Sequence, residues 1–166
     1  MVKSQIHAQK YTDHAATPPM GWSSWNYFQC DELNEKVIKE MADAMVSSGM
    51  KDAGYQYINI DDCWQIDRDT NGNILADSVK FPSGIKAVAD YIHSRGLKFG
   101  IYTCAGLQTY AKRPGSRGYE YQDMRTYVSW GVEYIKIDRC NTDNLDAPSS
   151  YKILAMPSGK RADPWY

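Results

Sequence analysis

The stretch Tyr55-Gln56-Tyr57-Ile58-Asn59-Ile60-Asp61-Asp62-Cys63-Trp64 runs an apolar strand into two adjacent carboxylates, a cysteine and a tryptophan. Two acids at a strand's mouth repel each other and cost desolvation, so a fold seldom holds them there without a use. A second segment, Tyr134-Ile135-Lys136-Ile137-Asp138-Arg139-Cys140, repeats the arrangement. Acids at the C-terminal ends of successive buried strands point to the mouth of a site.

Working outward from these two strands, the spacing alternates. Leu33 to Ser48 predicts a helix with Val37, Ile38, Met41, Ala42 and Met45 on one stripe. Asp67 to Asn73 predicts a polar turn centred on Asn71-Gly72. A second helix is expected from Ser83, as N-cap, to Arg95, with Gly96 at its C-terminal cap. Leu97 to Tyr102 predicts a strand, Ala105 to Gly118 a loop, and Glu120 to Trp130 a helix before the strand Val132 to Ile137. Strand and helix alternating at this spacing argue for parallel βα units, and nearly continuous apolar strands argue for a sheet covered on both faces. Both a (β/α)8 barrel and an open doubly wound sheet satisfy this pattern. No glycine-rich phosphate loop follows any strand, which weakens a nucleotide-binding reading. In a barrel the loops after the strands form the active face, which would set Trp22 and Trp25, Asp61 and Asp62, Tyr102 and Cys104, and Asp138 and Cys140 around one rim.

Composition narrows the function. The 166 residues make one domain with room for a sizeable core. A net charge of −1 with 19 scattered basic residues argues against nucleic acid or a membrane surface as partner. The 13 tyrosines and 5 tryptophans suit both a core and the faces of sugars. Cys30, Cys63, Cys104 and Cys140 permit three pairings, and neither their spacing nor the three histidines make a zinc pattern. Met1 to Lys10 is polar and has no apolar signal core.

Several motifs in order resemble glycoside hydrolase family 27, the α-galactosidases and α-N-acetylgalactosaminidases. They are Pro19-Met20-Gly21-Trp22-Ser23-Ser24-Trp25, Ile60-Asp61-Asp62-Cys63-Trp64, Phe81-Pro82-Ser83-Gly84-Ile85, Gly96-Leu97-Lys98-Phe99-Gly100-Ile101-Tyr102, Arg113-Pro114-Gly115-Ser116 and Tyr134 to Cys140. The resemblance covers residues 17–155 and implies the N-terminal half, about four βα units, of a (β/α)8 (TIM) barrel. It further implies a retaining exo-glycosidase, a hydrolase of carbohydrate metabolism, acting on terminal α-D-galactosyl groups with two carboxyls about 5–5.5 Å apart and no metal or organic cofactor.

By the same resemblance Asp138 is the nucleophile. Lys136, two residues earlier on the same side of the strand, keeps it charged and lies in the sugar pocket. Asp61 and Asp62 match the pair that hydrogen-bonds the galactose hydroxyls. On sequence alone they could equally be a catalytic pair, although neighbours on a strand point opposite ways and are poorly placed to flank one bond. Trp25 matches the ring that stacks on the sugar, Tyr102 a pocket tyrosine, and Trp64 a residue shaping the wall; Trp22 is expected to pack. Cys30 and Cys63 match a family disulfide. A second family bridge should join Cys140 to a cysteine where this chain has Tyr110, so a Cys104–Cys140 bridge is the alternative.

Residues 1–16 read as a tail and residues 156–166 as text off the family pattern. With strands five to eight and the acid/base region absent, the expectation is a half barrel of weak or no activity, since a complete barrel needs at least about 200 residues. Its open edges invite self-association. A disulfide and this substrate class imply a secreted or periplasmic protein. The same motifs serve α-N-acetylgalactosaminidase and β-L-arabinopyranosidase activity, and a non-catalytic galactose-binding fragment is the reading from another class.

Overall fold

The computed structural model describes residues 17–142 and 146–154; the expected tails at 1–16 and 156–166 lie outside them. Four parallel strands form one sheet: β1 (Gly21–Ser23), β2 (Tyr57–Ile60), β5 (Lys98–Cys104) and β6 (Tyr134–Asp138), hydrogen-bonded in that spatial order. Between them run α1 (Trp25–Phe28) and α2 (Glu35–Ser47), then α3 (Ile85–Ser94), then α4 (Glu120–Ser129); α5 (Ala147–Leu154) follows β6. Sequential strands lie side by side with a helix in each crossover, so every strand ends on the same rim.

The stripes explain the packing. Ile38, Ala42 and Met45 of α2 and Ile85, Val88, Ala89 and Ile92 of α3 are buried against Ile58, Ile60, Phe99 and Ile101 of the sheet. The side chain of Asn34 caps α2 by accepting from the Val37 N–H at 3.0 Å. At α3 the cap is Gly84 rather than Ser83. Ser83 instead donates its backbone N–H to Glu35 Oε2 at 2.9 Å, which ties α3 to α2.

Two further features differ from the sequence reading. The polar turn at 67–73 is the tip of an antiparallel hairpin, β3 (Gln65–Arg68) with β4 (Ile74–Ala76), inserted after β2. Its strands are only four and three residues long, with Ile66 and Leu75 exposed, so they carry too little alternation to read as strands. Arg68 fastens the hairpin to α4 through two bonds to Asp123, each 2.7 Å. Trp64, expected in the pocket wall, is fully buried in the core. It donates its indole N–H to the Tyr102 carbonyl at 2.8 Å and meets Tyr127 and Trp130 edge-on at 5.8 Å.

β6 is less buried than β5: Ile135 and Ile137 are only partly covered, whereas Phe99 and Ile101 are fully so. Among the described residues β1 and β6 each have a neighbour on one side only.

Candidate active site

A cleft of about 370 Å³ opens at the carboxyl ends of the parallel strands, lined by Trp25, Gln29, Asp61, Asp62, Tyr102, Tyr110, Lys136 and Asp138. All six residues singled out for catalysis and sugar contact therefore meet in one place. The register explains it: Cys104 pairs with Asp138 and Tyr102 with Lys136 across β5 and β6, so alternate residues of both strands rise to the same rim.

Asp61 lies just beyond β2. Its Oδ2 accepts from Lys136 Nζ at 2.7 Å and from Ser23 Oγ at 3.3 Å, and its backbone N–H donates to Ser24 Oγ at 2.9 Å. The Lys136–Asp61 ion pair reaches from β6 over β5 to β2. The ammonium also stands 5.2 Å from the Tyr102 ring, whose face favours a cation. Asp62 faces the same cleft, contrary to the expectation that strand neighbours diverge. The strand has already ended at Ile60, and the chain turns through Asp62 and a left-handed Cys63, φ 76°. Asp62 Oδ1 accepts from the Cys63 N–H at 2.8 Å, and Oδ2 accepts from the Ala111 N–H at 2.8 Å. The loop after β5 is thereby fixed over the site.

Asp138 ends β6 with a donor on each oxygen. Oδ1 accepts from the Arg139 N–H at 2.7 Å; Oδ2 accepts from the Tyr102 hydroxyl at 3.1 Å and the Cys140 thiol at 3.3 Å. Burial pulls its pKa upward. The Arg139 N–H, the Cys140 thiol, the Tyr102 hydroxyl and the Lys136 charge outweigh it and hold the carboxyl below its ordinary range. Burial, then the charges of Asp62 and Asp138, push the Tyr102 hydroxyl far upward, so it stays a neutral donor.

Cys30 and Cys63 form a disulfide that joins the loops after β1 and β2. The alternative bridge does not form: Cys104 and Cys140 are free thiols. The sulfur of Cys104 is turned to the backbone of residue 140, donating to its carbonyl at 2.9 Å and accepting its N–H at 3.0 Å, while the Cys140 thiol is turned to Asp138.

Gln29 and Tyr110 line the cleft although the sequence did not mark them for sugar contact. Tyr110 lies edge-on to Trp25, ring centroids 5.9 Å apart, and stands where the family resemblance calls for a cysteine. That substitution was its signal. Gln29 reaches the cleft through a left-handed backbone, φ 44°, which nothing in its neighbours' composition announces. Trp22 packs against the core and Phe28 as expected. Among the described residues no cluster of three or more His, Cys, Asp or Glu has a metal-binding arrangement.

A parallel βα sheet with carboxylates, a lysine and aromatic rings gathered at its carboxyl end defines the class: part of a (β/α)8 barrel that carries its chemistry on the loop face. The chain belongs to the alpha-galactosidase A family, whose profile matches residues 17–160. It is similar to the alpha-galactosidase A of Cellvibrio japonicus (strain Ueda107), 59% identical over 154 residues that cover 93% of this chain and 38% of that one. Among solved structures it resembles alpha-galactosidase I from Mortierella vinacea, with a TM-score of 0.84, 42% identity, and coverage of 86% of this chain and 37% of that one. It also resembles the alpha-galactosidase of Saccharomyces cerevisiae solved with raffinose, with a TM-score of 0.82, 38% identity, and coverage of 86% and 32%. The chain thus spans less than two fifths of the length of these relatives.

Proposed function

We propose that this chain carries the sugar-recognising, nucleophile-bearing part of a retaining exo-glycosidase that acts on terminal α-D-galactosyl groups. The observation that carries this reading is the Asp138 carboxylate, held by three donors beside Lys136 in the same cleft as Asp61 and Asp62. A carboxylate kept charged and aligned is equipped to attack an anomeric carbon. Asp61 and Asp62 supply acceptors for sugar hydroxyls, and a site built to hydrogen-bond a hydroxyl discriminates strongly against a sugar that lacks it there. Trp25 offers a ring face to the sugar. The names of these relatives, α-galactosidases all, favour galactose over N-acetylgalactosamine or arabinopyranose. Raffinose, with which the Saccharomyces cerevisiae enzyme was solved, is a substrate of the proposed kind.

A retaining mechanism also needs an acid/base carboxyl. Among the described residues the cleft offers only Asp61 and Asp62 besides Asp138, and both are committed to recognition. The test therefore uses a donor that needs no acid. With 2,4-dinitrophenyl α-D-galactoside, the bond from an Asp138 oxygen to C1 forms as the C1–O bond breaks, and the phenolate departs with the electron pair unprotonated. The expected result is a burst of phenolate that is lost in Asp138→Asn and absent with the glucose epimer. Galactose binding with no burst would favour the non-catalytic reading, and neither binding nor burst would end the proposal. The Cys30–Cys63 disulfide supports an oxidising compartment outside the cytoplasm as the place of action.

A further inference from the structure

We propose that Cys140 is a positioning residue for Asp138, its thiol donating the hydrogen bond that fixes the orientation of the carboxylate. This rests on the reading of Asp138 as nucleophile and adds a partner to it. The Cys140 sulfur lies 3.3 Å from Asp138 Oδ2, on the oxygen that also takes the Tyr102 hydroxyl. Its own backbone is pinned rather than loose: the Cys140 N–H and carbonyl both bond the buried Cys104 sulfur, which in turn accepts the Gly106 N–H at 3.3 Å. A Cβ on Gly106 would come within 2.0 Å of the Cys140 carbonyl, so the loop after β5 closes tightly on this corner. The two free thiols thus have separate tasks, one holding the turn and the other facing the carboxylate.

The thiol is suited to this only while it keeps its proton. Burial, then the bond and charge of Asp138, push the Cys140 thiol up to about 12, so the sulfur remains a donor through the neutral range. The groups facing Asp138 are Lys136, Arg139 and Cys140 from β6 and its loop, Tyr102 and Cys104 from β5, and Asp61 and Asp62 from the end of β2. Of these, only Cys140 and Tyr102 bring a neutral side-chain donor to Oδ2.

Two measurements on the 166-residue chain test this. In the first, 5-fluoro-α-D-galactosyl fluoride labels Asp138; the carboxylate–C1 bond forms, the C1–F bond breaks, fluoride leaves with the electron pair, and mass spectrometry reads the adduct. Cys140→Ala is expected to slow labelling about tenfold, the scale of one hydrogen bond to a charge, and to move the acid limb of the pH profile upward. Cys140→Ser, which keeps a donor, is expected to restore both. In the second, iodoacetamide alkylation of the Cys140-containing peptide is compared between wild type and Asp138→Asn. Removing the carboxylate should speed alkylation, a readout that needs no glycosidase activity. Unchanged labelling and an unchanged acid limb in Cys140→Ala would overturn the inference, as would equal alkylation rates. If no variant labels at Asp138 while alkylation still responds, the nucleophile reading fails, and the positioning role falls with it.

Discussion

Both oxygens of Asp138 are occupied by donors, and that sets what pH does to the residue. Its pKa in the folded chain lies below the ordinary 3.8. The bonded carboxylate therefore adds stability above the unfolded value and loses it as pH falls through the folded value. Reaction of Asp138 with an activated galactosyl donor is expected to show an acid limb centred below the ordinary 3.8; a limb centred above it in a pH–rate profile would contradict the bonding pattern. Lys136 offers a second check at this scale. Its ammonium is bonded to Asp61, whose side chain is only 4% exposed. Lys136→Met should weaken galactose binding by about tenfold or more, since a buried carboxylate then stands without its charged partner, and calorimetric titration would read it. Asp61, Asp138 and Lys136 were legible in the sequence because an acid or a lysine beside a run of buried apolar residues breaks the strand's own logic. Gln29 was not, because it reaches the cleft from a loop whose path no periodicity encodes, and Tyr110 was marked only by the cysteine it replaces, not as a cleft residue.

Those loops have a common device. Among the described residues the non-glycines with positive φ are Gln29, Cys63, Lys112 and Asn141, one in the loop after each strand of the parallel sheet. Left-handed backbone costs an ordinary residue roughly 1–2 kcal/mol; of the four, Gln29 lines the cleft itself and Cys63 makes the turn that follows Asp62. The β3–β4 hairpin is the element the sequence hid best, and Arg68 is its anchor. Besides Asp123 it bonds the Gly72 and Gly115 carbonyls at 2.9 and 2.8 Å and stacks on Tyr119 at 3.9 Å. Asp123 is 1% exposed, so Arg68→Ala would leave a buried charge alone. The expected cost is about 3–5 kcal/mol, measured by urea denaturation, with Arg68→Lys recovering only part because it lacks the two-pronged geometry. A loss of under about 1 kcal/mol would show that Asp123 is rehydrated instead.

For the molecule as a whole, the order of parallel βα units was readable from alternation and continuous apolar strands, but closure was not: barrel and open sheet share that pattern. The Cys30–Cys63 bridge closes 33 residues of chain, and converting both cysteines to serine is expected to cost about 2–4 kcal/mol, seen as a lower thermal midpoint. The half-covered β6 presents backbone groups and the partly exposed Ile135 and Ile137 at one edge of the sheet. Concentration-dependent association is therefore expected in sedimentation velocity; a monomer at every concentration would show the edge to be shielded.

The ion pair that crosses β5 has one more consequence. Lys136 and Asp61 lie 75 positions apart along the chain, so this ion pair does not exist in any fragment that lacks β2 or β6. A sugar seated there is a sensor of global folding rather than of local loop order. Galactose at about a hundred times its dissociation constant should stabilise the whole chain by about 2.7 kcal/mol and raise the midpoint of a single cooperative melt. Protection from proteolysis confined to the loops, with no shift in the melt, would mean that recognition and folding are uncoupled.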